Sequence, residues 1–155
     1  MNLVLILHNI RSVYNVGAIF RTADAAGVSK IYLTGYTPTP LDRFGRERKD
    51  IAKAALGAEK SVAWIHESEV HKVIKSLRSD GYKIIALEQT EGSTDYKNFK
   101  PKEETALIIG EERYGITQNI LDQCNNIIEI PMRGKKESLN VSVATGIALF
   151  RILDI

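Results

Sequence analysis

The chain has 155 residues, of which 44% are hydrophobic and 26% charged, and its formal net charge at pH 7 is +2. These values are typical of one globular domain, and no apolar run approaches the ~20 residues that a membrane-spanning helix needs. Cys124 is the only cysteine, which excludes a disulfide framework and a thiolate zinc cage. We therefore expect a single domain over residues 1–155, without a secretory signal and in a reducing cytoplasm. The mild positive charge permits RNA as a partner but does not by itself indicate one.

Short apolar runs alternate with segments of helical spacing along the whole chain. The predicted strands cover residues 2–7, 30–34, 61–65, 82–87, 105–109 and 126–130. The predicted helices cover residues 16–26, 51–56, 67–79, 117–123 and 141–153. This alternation predicts an α/β fold with a mostly parallel sheet and helices on both faces.

A charged loop occupies residues 37–49. It holds two prolines, Gly45 and a cluster in which basic and acidic side chains are mixed. A compact domain seldom keeps an irregular loop of this length without a use. We expect this loop to take part in recognition of a partner.

The last predicted helix is apolar on more than one face. Apolarity all round indicates burial on several sides, although a helix at a chain end would otherwise fray. We therefore expect it to pack both in the core and against a second subunit. Ser138 or Asn140, which precede the helix, would serve as its N-cap, because both side chains accept hydrogen bonds from free helix amides.

Ligands of open parallel sheets bind beyond the carboxyl ends of the strands. In this chain the loops after Leu87, Ile109 and Ile130 would lie at that edge. The glycine patterns that cradle a dinucleotide or a nucleoside triphosphate are absent from the sequence. A nucleoside without phosphates remains compatible, because adenine and ribose need only apolar walls and backbone polar groups.

Three segments resemble the motifs of the SpoU/TrmH-type RNA ribose methyltransferases, which belong to the SPOUT class. Residues 15–21 (NVGAIFR) resemble the first motif, N-x-G-x-x-x-R, and residues 110–115 (GEERYG) resemble the second, G-x-E-x-x-G. Residues 130–132 (IPM) together with 138–144 (SLNVSVA) are similar to the third. The motifs come in the family's order, and the resemblance covers essentially the whole chain.

The resemblance implies a SPOUT-like α/β sheet with a deep trefoil knot at its C-terminal end. It implies S-adenosyl-L-methionine (AdoMet) as the cofactor, a homodimer, and methyl transfer to a ribose 2′-hydroxyl of RNA, with tRNA favoured over rRNA. Motif one begins almost at the first residue, so we expect no separate RNA-binding extension. Two rival hypotheses are a non-catalytic RNA-binding dimer of the same fold and a flavodoxin-like binder of a small molecule.

The resemblance also implies roles for individual residues. The cofactor would lie among the backbone groups of Leu87, Gly110, Ile130, Met132 and Leu139. The catalytic group would consist of Arg21, Asn15, Ser138, Asn140 and Glu112. In it Ser138 and Asn140 would orient Arg21 and the ribose, and Glu112 would act as a scaffold more than as a proton acceptor.

Some of these residues also have a simpler interpretation. Arg21 would be a solvated helix residue, Asn15 the N-cap of the first helix, and Gly110 a turn glycine. The plausible RNA contacts are Arg11, Arg43, Arg46, Arg48, Arg113, Arg133, Lys135 and Lys136. A solvated charged surface is the alternative for each of these cations. The three histidines show no metal-ligand spacing, and we expect no metal and no membrane partner.

Overall fold

The computed structural model describes residues 1–155 and contains one sheet. Its strands are β1 (Leu3–His8), β2 (Lys30–Thr34), β3 (Ala63–Glu67), β4 (Lys83–Leu87), β5 (Thr94–Asp95), β6 (Thr105–Ile109) and β7 (Asn126–Glu129). The helices are α1 (Val13–Ala26), α2 (Lys49–Ala55), α3 (Ala58–Ser61), α4 (Val70–Ser79), α5 (Gln118–Leu121) and α6 (Val141–Leu153), and a 3-10 turn covers Tyr96–Asn98. The strand order is β3-β2-β1-β6-β4-β7-β5, and all neighbours are parallel.

Helices cover both faces of the sheet, as the sequence predicts. Leu5 and Leu7 of β1 face a core that includes side chains of α1, α2 and α6. Val4 and Ile6 point to the other face, where α4 and α5 complete a second core. A central strand that is buried on both sides needs a continuous apolar run, which is what β1 and β6 have. The deep knot that the resemblance implies stays a prediction.

Several element boundaries differ from the predicted ones. The first helix begins at Val13 and not at residue 16, because the hydroxyl of Ser12 caps it by accepting the N–H of Asn15. The interpretation of Asn15 as the N-cap is therefore wrong. The third strand begins two residues later than predicted, because residues 58–61 form a separate helical turn after Gly57. The two-residue strand β5 lies in a segment predicted as a loop.

The last helix is buried on only one side within this chain. Ala148, Leu149 and Ile152 pack into the core, whereas Val143 and Phe150 are exposed to solvent. The predicted N-cap is confirmed for Asn140, whose side-chain oxygen accepts the N–H groups of the first helical turn. No helix of the structure has the length and apolar character that crossing a membrane requires.

Candidate functional site

A cavity of about 240 Å³ lies at the carboxyl edge of the sheet, where the loops after β4, β6 and β7 meet the beginning of α6. All five residues predicted to hold a cofactor line this cavity: Leu87, Gly110, Ile130, Met132 and Leu139. Ile109, Val141 and Ala144 add to the apolar part of the walls, and polar and charged side chains form the rest. Parallel strands bring these distant segments together because their carboxyl ends lie at the same edge.

Two glycines allow the loop after β6 to fold tightly against itself. A Cβ atom on Gly110 would lie 2.5 Å from the side chain of Ile116 and 2.7 Å from the backbone of Gly115. Gly115 has a φ of +70°, and a Cβ atom on it would lie 2.0 Å from a carboxylate oxygen of Glu88. Gly110 is therefore required by close packing, and Gly115 by both its backbone conformation and its neighbour.

Two carboxylates fix the shape of this loop through backbone N–H groups. Glu111 is buried, and its carboxylate accepts the N–H groups of Arg113 and Tyr114. Glu88 accepts the N–H of Ile116 at 2.9 Å, which joins the loop after β4 to the loop after β6. Both side chains line the cavity. Their hydrogen bonds make this wall of the cavity rigid before any ligand binds.

Glu112 joins the same loop to the beginning of α1. Its carboxylate accepts the N–H of Arg11 at 3.0 Å, the N–H of Ser12 at 3.1 Å and the side-chain amide of Asn15 at 3.3 Å. Partial burial by itself would raise the pKa of Glu112, but these hydrogen bonds to the ionised form outweigh burial and hold the pKa below its ordinary value. A carboxylate held in this way is a poor proton acceptor, in agreement with the predicted scaffold role.

Asn15 connects the first motif to the other two. It is buried, it donates to Glu112, and its side-chain oxygen accepts a hydrogen bond of 3.2 Å from the side-chain amide of Asn140. One residue from each of the three motifs therefore belongs to a single hydrogen-bonded chain. Glu112 and Ser138 line the cavity themselves, and Asn15 connects Asn140 to Glu112.

Arg21 lies apart from these hydrogen-bonded residues. It follows Asn15 by six residues, which corresponds to about 240° around a helix, and it is exposed in a shallow depression beside Tyr14 and Phe150. It makes no hydrogen bond to Ser138 or Asn140. The expectation that these two residues orient Arg21 is therefore not met within one chain, because the side chain of Asn140 is engaged by Asn15 and by the helix it caps.

The predicted RNA-contacting cations form two groups. Arg43, Arg46 and Arg48 lie in the charged loop, where Asp42 pairs with Arg46 at 3.0 Å and Asp50 pairs with Arg48 at 2.8 Å. The other cations surround the cavity: Arg11 before α1, Arg113 after β6, and Arg133, Lys135 and Lys136 after β7. All five are exposed.

The acidic lining of the cavity was not predicted from the sequence. Five carboxylates line it, those of Glu88, Glu111, Glu112, Glu129 and Glu137, against the single cation Arg113. The carboxylates of Glu129 and Glu137 make no ion pair and accept no hydrogen bond in the structure. This balance favours a positively charged or neutral ligand and opposes a phosphate. The positions of two of these residues in the sequence could have indicated the acidic lining. Glu88 directly follows β4 and Glu129 ends β7, so both lie at the carboxyl edge of the sheet.

Comparison with known proteins gives a match to the SpoU rRNA Methylase family over residues 2–150. A protein of Staphylococcus aureus strain MSSA476 assigned to the TrmH family of tRNA/rRNA methyltransferases is 33% identical over 152 residues, which are 98% of this chain and 58% of that protein. The chain thus spans little more than half the length of such curated relatives.

Two solved structures are similar along nearly the whole chain. The AdoMet-bound rRNA methyltransferase from Sinorhizobium meliloti superposes with a TM-score of 0.87 at 29% identity, over 97% of this chain and 55% of that one. The TrmH/SpoU tRNA modifying enzyme of A. aeolicus superposes with a TM-score of 0.85 at 27% identity, over 99% of this chain and 74% of that one.

Proposed function

Because the chain belongs to the SpoU rRNA methylase family, we propose that it transfers a methyl group from AdoMet to a ribose 2′-hydroxyl of RNA, with tRNA as the substrate. One observation carries this proposal. Five positions predicted from the resemblance, four of them inside segments that match the family's motifs, line the same cavity at the carboxyl edge of the sheet.

The residues of the cavity fit AdoMet in chemistry. Leu87, Ile130 and Leu139 offer apolar walls to an adenine ring, and backbone groups at the strand ends can read its edge. The carboxylates of Glu129 and Glu137 suit the positive charges of a sulfonium and an amino group. The cavity volume of about 240 Å³ lies somewhat below the usual range of ~300–1,000 Å³ for ligand pockets. We expect the exposed loop at residues 131–139 to close over the ligand.

AdoMet, when bound, supplies a methyl carbon that a nucleophile can attack in line with the sulfonium. The residues of the protein would position the ribose. The ribose would be held so that its 2′-hydroxyl faces that carbon. Ser138 would hold it at the rim of the cavity, together with the hydrogen-bonded residues Glu112, Asn15 and Asn140. Fixing both partners in such near-attack geometry removes much of the entropic cost of the reaction.

Arg21 would act on the nucleic acid. A guanidinium is protonated at any physiological pH, so Arg21 cannot serve as a general base. It can bind a phosphate of the target nucleotide in a bidentate manner and stabilise the negative charge that develops on the ribose oxygen. Because Arg21 lies away from the cavity of its own chain, this role requires a second copy of the chain.

A homodimer would supply that second copy. Val143, Ile147 and Phe150 form an exposed apolar strip on α6, and Arg21 lies beside Phe150 in the same depression. Burying this strip against a partner's α6 would remove apolar surface from water. We propose that the dimer brings Arg21 of one chain to the cavity of the other, and that α6 lies in the predicted knot.

The proposal is tested by calorimetry with AdoMet and by transfer of a labelled methyl group to purified tRNA and rRNA. Digestion of the RNA to nucleosides and mass spectrometry should find 2′-O-methylated nucleosides in tRNA. Methylated bases would contradict ribose as the target, and 2′-O-methylation of rRNA alone would contradict tRNA as the substrate. RNA binding without AdoMet binding would favour the non-catalytic dimer.

A further inference from the structure

We infer that Tyr36 and Phe44 stack unpaired bases of the RNA substrate, on a surface that adjoins the cavity but is separate from it. This inference rests on the proposed function and names the kind of RNA that the protein takes. The Tyr36–Phe44 surface consists of a cleft of about 610 Å³, bordered by residues 35–39, 41–43, Arg48 and His66, and of the adjacent turn at residues 41–47.

Tyr36 presents an exposed ring from a fixed backbone. Its side chain is 58% exposed, but its N–H donates to the side-chain oxygen of Asn9 at 3.0 Å. The next residue, Thr37, is buried, and its hydroxyl donates to the carbonyl of Leu7 at 2.9 Å and accepts the N–H of Ile10. An aromatic ring held in water by a rigid backbone loses little entropy when a base stacks on it.

Phe44 stands at the tip of an ordered turn. The carboxylate of Asp42 accepts the N–H of Phe44 at 2.8 Å and that of Arg46 at 2.9 Å, and Gly45 adopts the left-handed conformation with a φ of +76°. Phe44 is 66% exposed, and the guanidinium groups of Arg43 and Arg46 lie over its ring, 4.8 and 4.9 Å from the ring centre. The hydrogen bonds of Asp42 and the conformation of Gly45 fold this turn so that the ring of Phe44 and the two arginine side chains are exposed to solvent together.

The charges of this surface favour a polyanion. Each acidic side chain of the turn region is paired: Asp42 with Arg46, Asp50 with Arg48, and Glu47 with Lys60 at 3.7 Å. Arg43 and Lys49 remain without an ion pair. Arg43 therefore combines a free charge with the exposed ring of Phe44. Proteins bind single-stranded nucleic acid by this combination, since cations meet phosphates and aromatic rings meet base faces.

Stacking distinguishes unpaired from paired RNA. In an A-form duplex the base faces are already stacked, so Tyr36 and Phe44 would find no partner there. A bulge, a loop or a single-stranded end exposes its bases. The surface therefore selects RNA whose target nucleotide lies in or next to an unpaired segment.

The surface is close enough to the cavity for one strand to reach both. Asn9 holds the backbone of Tyr36, and the N–H of Arg11 is bound by Glu112 of the cavity wall. The Cα atoms of Asn9 and Arg11 are at most ~7.6 Å apart, because only two peptide units join them. A strand whose ribose enters the cavity thus passes the Tyr36–Phe44 surface within a few nucleotides.

Fluorescence anisotropy with a labelled, unstructured RNA of about ten nucleotides tests this inference, with the same RNA annealed to its complement as the second probe. Tyr36→Ala and Phe44→Ala should each weaken binding of the single strand by about fivefold or more and leave binding of the duplex unchanged. Tyr36→Phe and Phe44→Tyr should restore binding. Arg43→Gln should weaken binding of both probes and lower the salt dependence for the single strand by about 0.7 in slope.

Lys75→Gln is the matched charge control, because Lys75 is exposed on α4 and makes no ion pair; its affinities should equal those of the wild type. Wild-type affinity of both alanine variants for the single strand would overturn the inference, as would equal losses for the duplex. AdoMet titration of the same variants separates the two proposals. Variants that bind AdoMet with wild-type affinity and bind only the single-stranded RNA more weakly support the role of the Tyr36–Phe44 surface. A wild-type protein that binds no AdoMet refutes the proposed function, and the anisotropy result then still tests the surface by itself.

Discussion

The side-chain amide of Asn140 donates a hydrogen bond of 3.2 Å to the side-chain oxygen of Asn15, across 125 residues of sequence. The oxygen of the same Asn140 amide caps α6 by accepting the N–H groups of Ser142 at 2.9 Å and Val143 at 3.3 Å. One side chain therefore begins the last helix and ties it to the first. Capping and the predicted catalytic role are compatible, because they use different atoms.

Substitutions of Asn140 should separate these two roles. Asn140→Ser keeps a capping oxygen and loses the amide donor, whereas Asn140→Ala loses both. We expect urea denaturation to give Asn140→Ala a free energy of unfolding about 1 kcal/mol below that of Asn140→Ser. Both variants should lose methyl transfer, since neither can hold Asn15. Wild-type transfer by Asn140→Ser would show that the contact with Asn15 is not needed.

Glu112 should make stability depend on pH. Its folded-state pKa lies below the ordinary value of 4.5, so its hydrogen bonds stabilise the fold fully above that pH and are lost as the pH falls through the folded-state pKa. Glu112→Gln should lower the free energy of unfolding by about 1 kcal/mol at pH 7, and the difference should shrink toward pH 3. Urea denaturation at several pH values between 3 and 7 measures this difference in the free energy of unfolding. Glu91→Gln, an exposed position without a hydrogen bond, is the control, and a constant difference for Glu112→Gln would contradict the prediction.

Gly115 should tolerate no side chain. Gly115→Ala places a Cβ atom at a φ of +70° and 2.0 Å from Glu88. Gly27→Ala is the matched control, because Gly27 has a φ of +74° and nothing within 4 Å of the added atom. The control should lose ~1–2 kcal/mol of stability from backbone strain alone. Gly115→Ala should lose more and should also weaken AdoMet binding in calorimetry, since Glu88 has to leave the cavity wall. Equal stability losses would mean that Glu88 moves without cost.

Arg21 should affect the reaction and not cofactor binding. Arg21→Lys keeps the charge but loses the bidentate fork, so we expect kcat to fall by ~10²-fold or more, the size of a lost transition-state contact. Arg21→Ala should abolish transfer. The affinity for AdoMet should stay that of the wild type in both. Arg78→Lys, on α4 at the other face of the sheet, is the control. Undiminished turnover of Arg21→Ala would show that the catalytic assignment is wrong.

The exposed strip of α6 should hold the dimer together. Phe150 and Ile65 are both 40% exposed, but Ile65 lies on the edge strand β3. Phe150→Glu should yield monomers in sedimentation velocity and lose methyl transfer, because Arg21 then has no second cavity to serve. Ile65→Glu should leave both properties unchanged. A wild-type protein that sediments as a monomer would remove the basis of this prediction.

The sequence determined most of the elements and indicated which residues line the cavity. The strands at residues 30–34 and 105–109 have the predicted bounds, because a short β-rich run between turn residues has few other ways to fold. Most of the predicted residues that line the cavity could be read from the motifs, and loops that follow parallel strands must open at one edge. Boundaries set by a single side chain, such as Ser12 before α1, could not be read in the same way.

Only the tertiary structure decided which side chains meet. Asn15 can bind Glu112 and Asn140 only because the strand order places β1 next to β6. The local amino-acid sequence does not determine which strand lies beside β1. By contrast, the different directions of Asn15 and Arg21 on α1 follow from their spacing of six residues. Local sequence fixes periodicity and turns, because those depend on near neighbours. Contacts between distant segments depend on the packing of the whole chain.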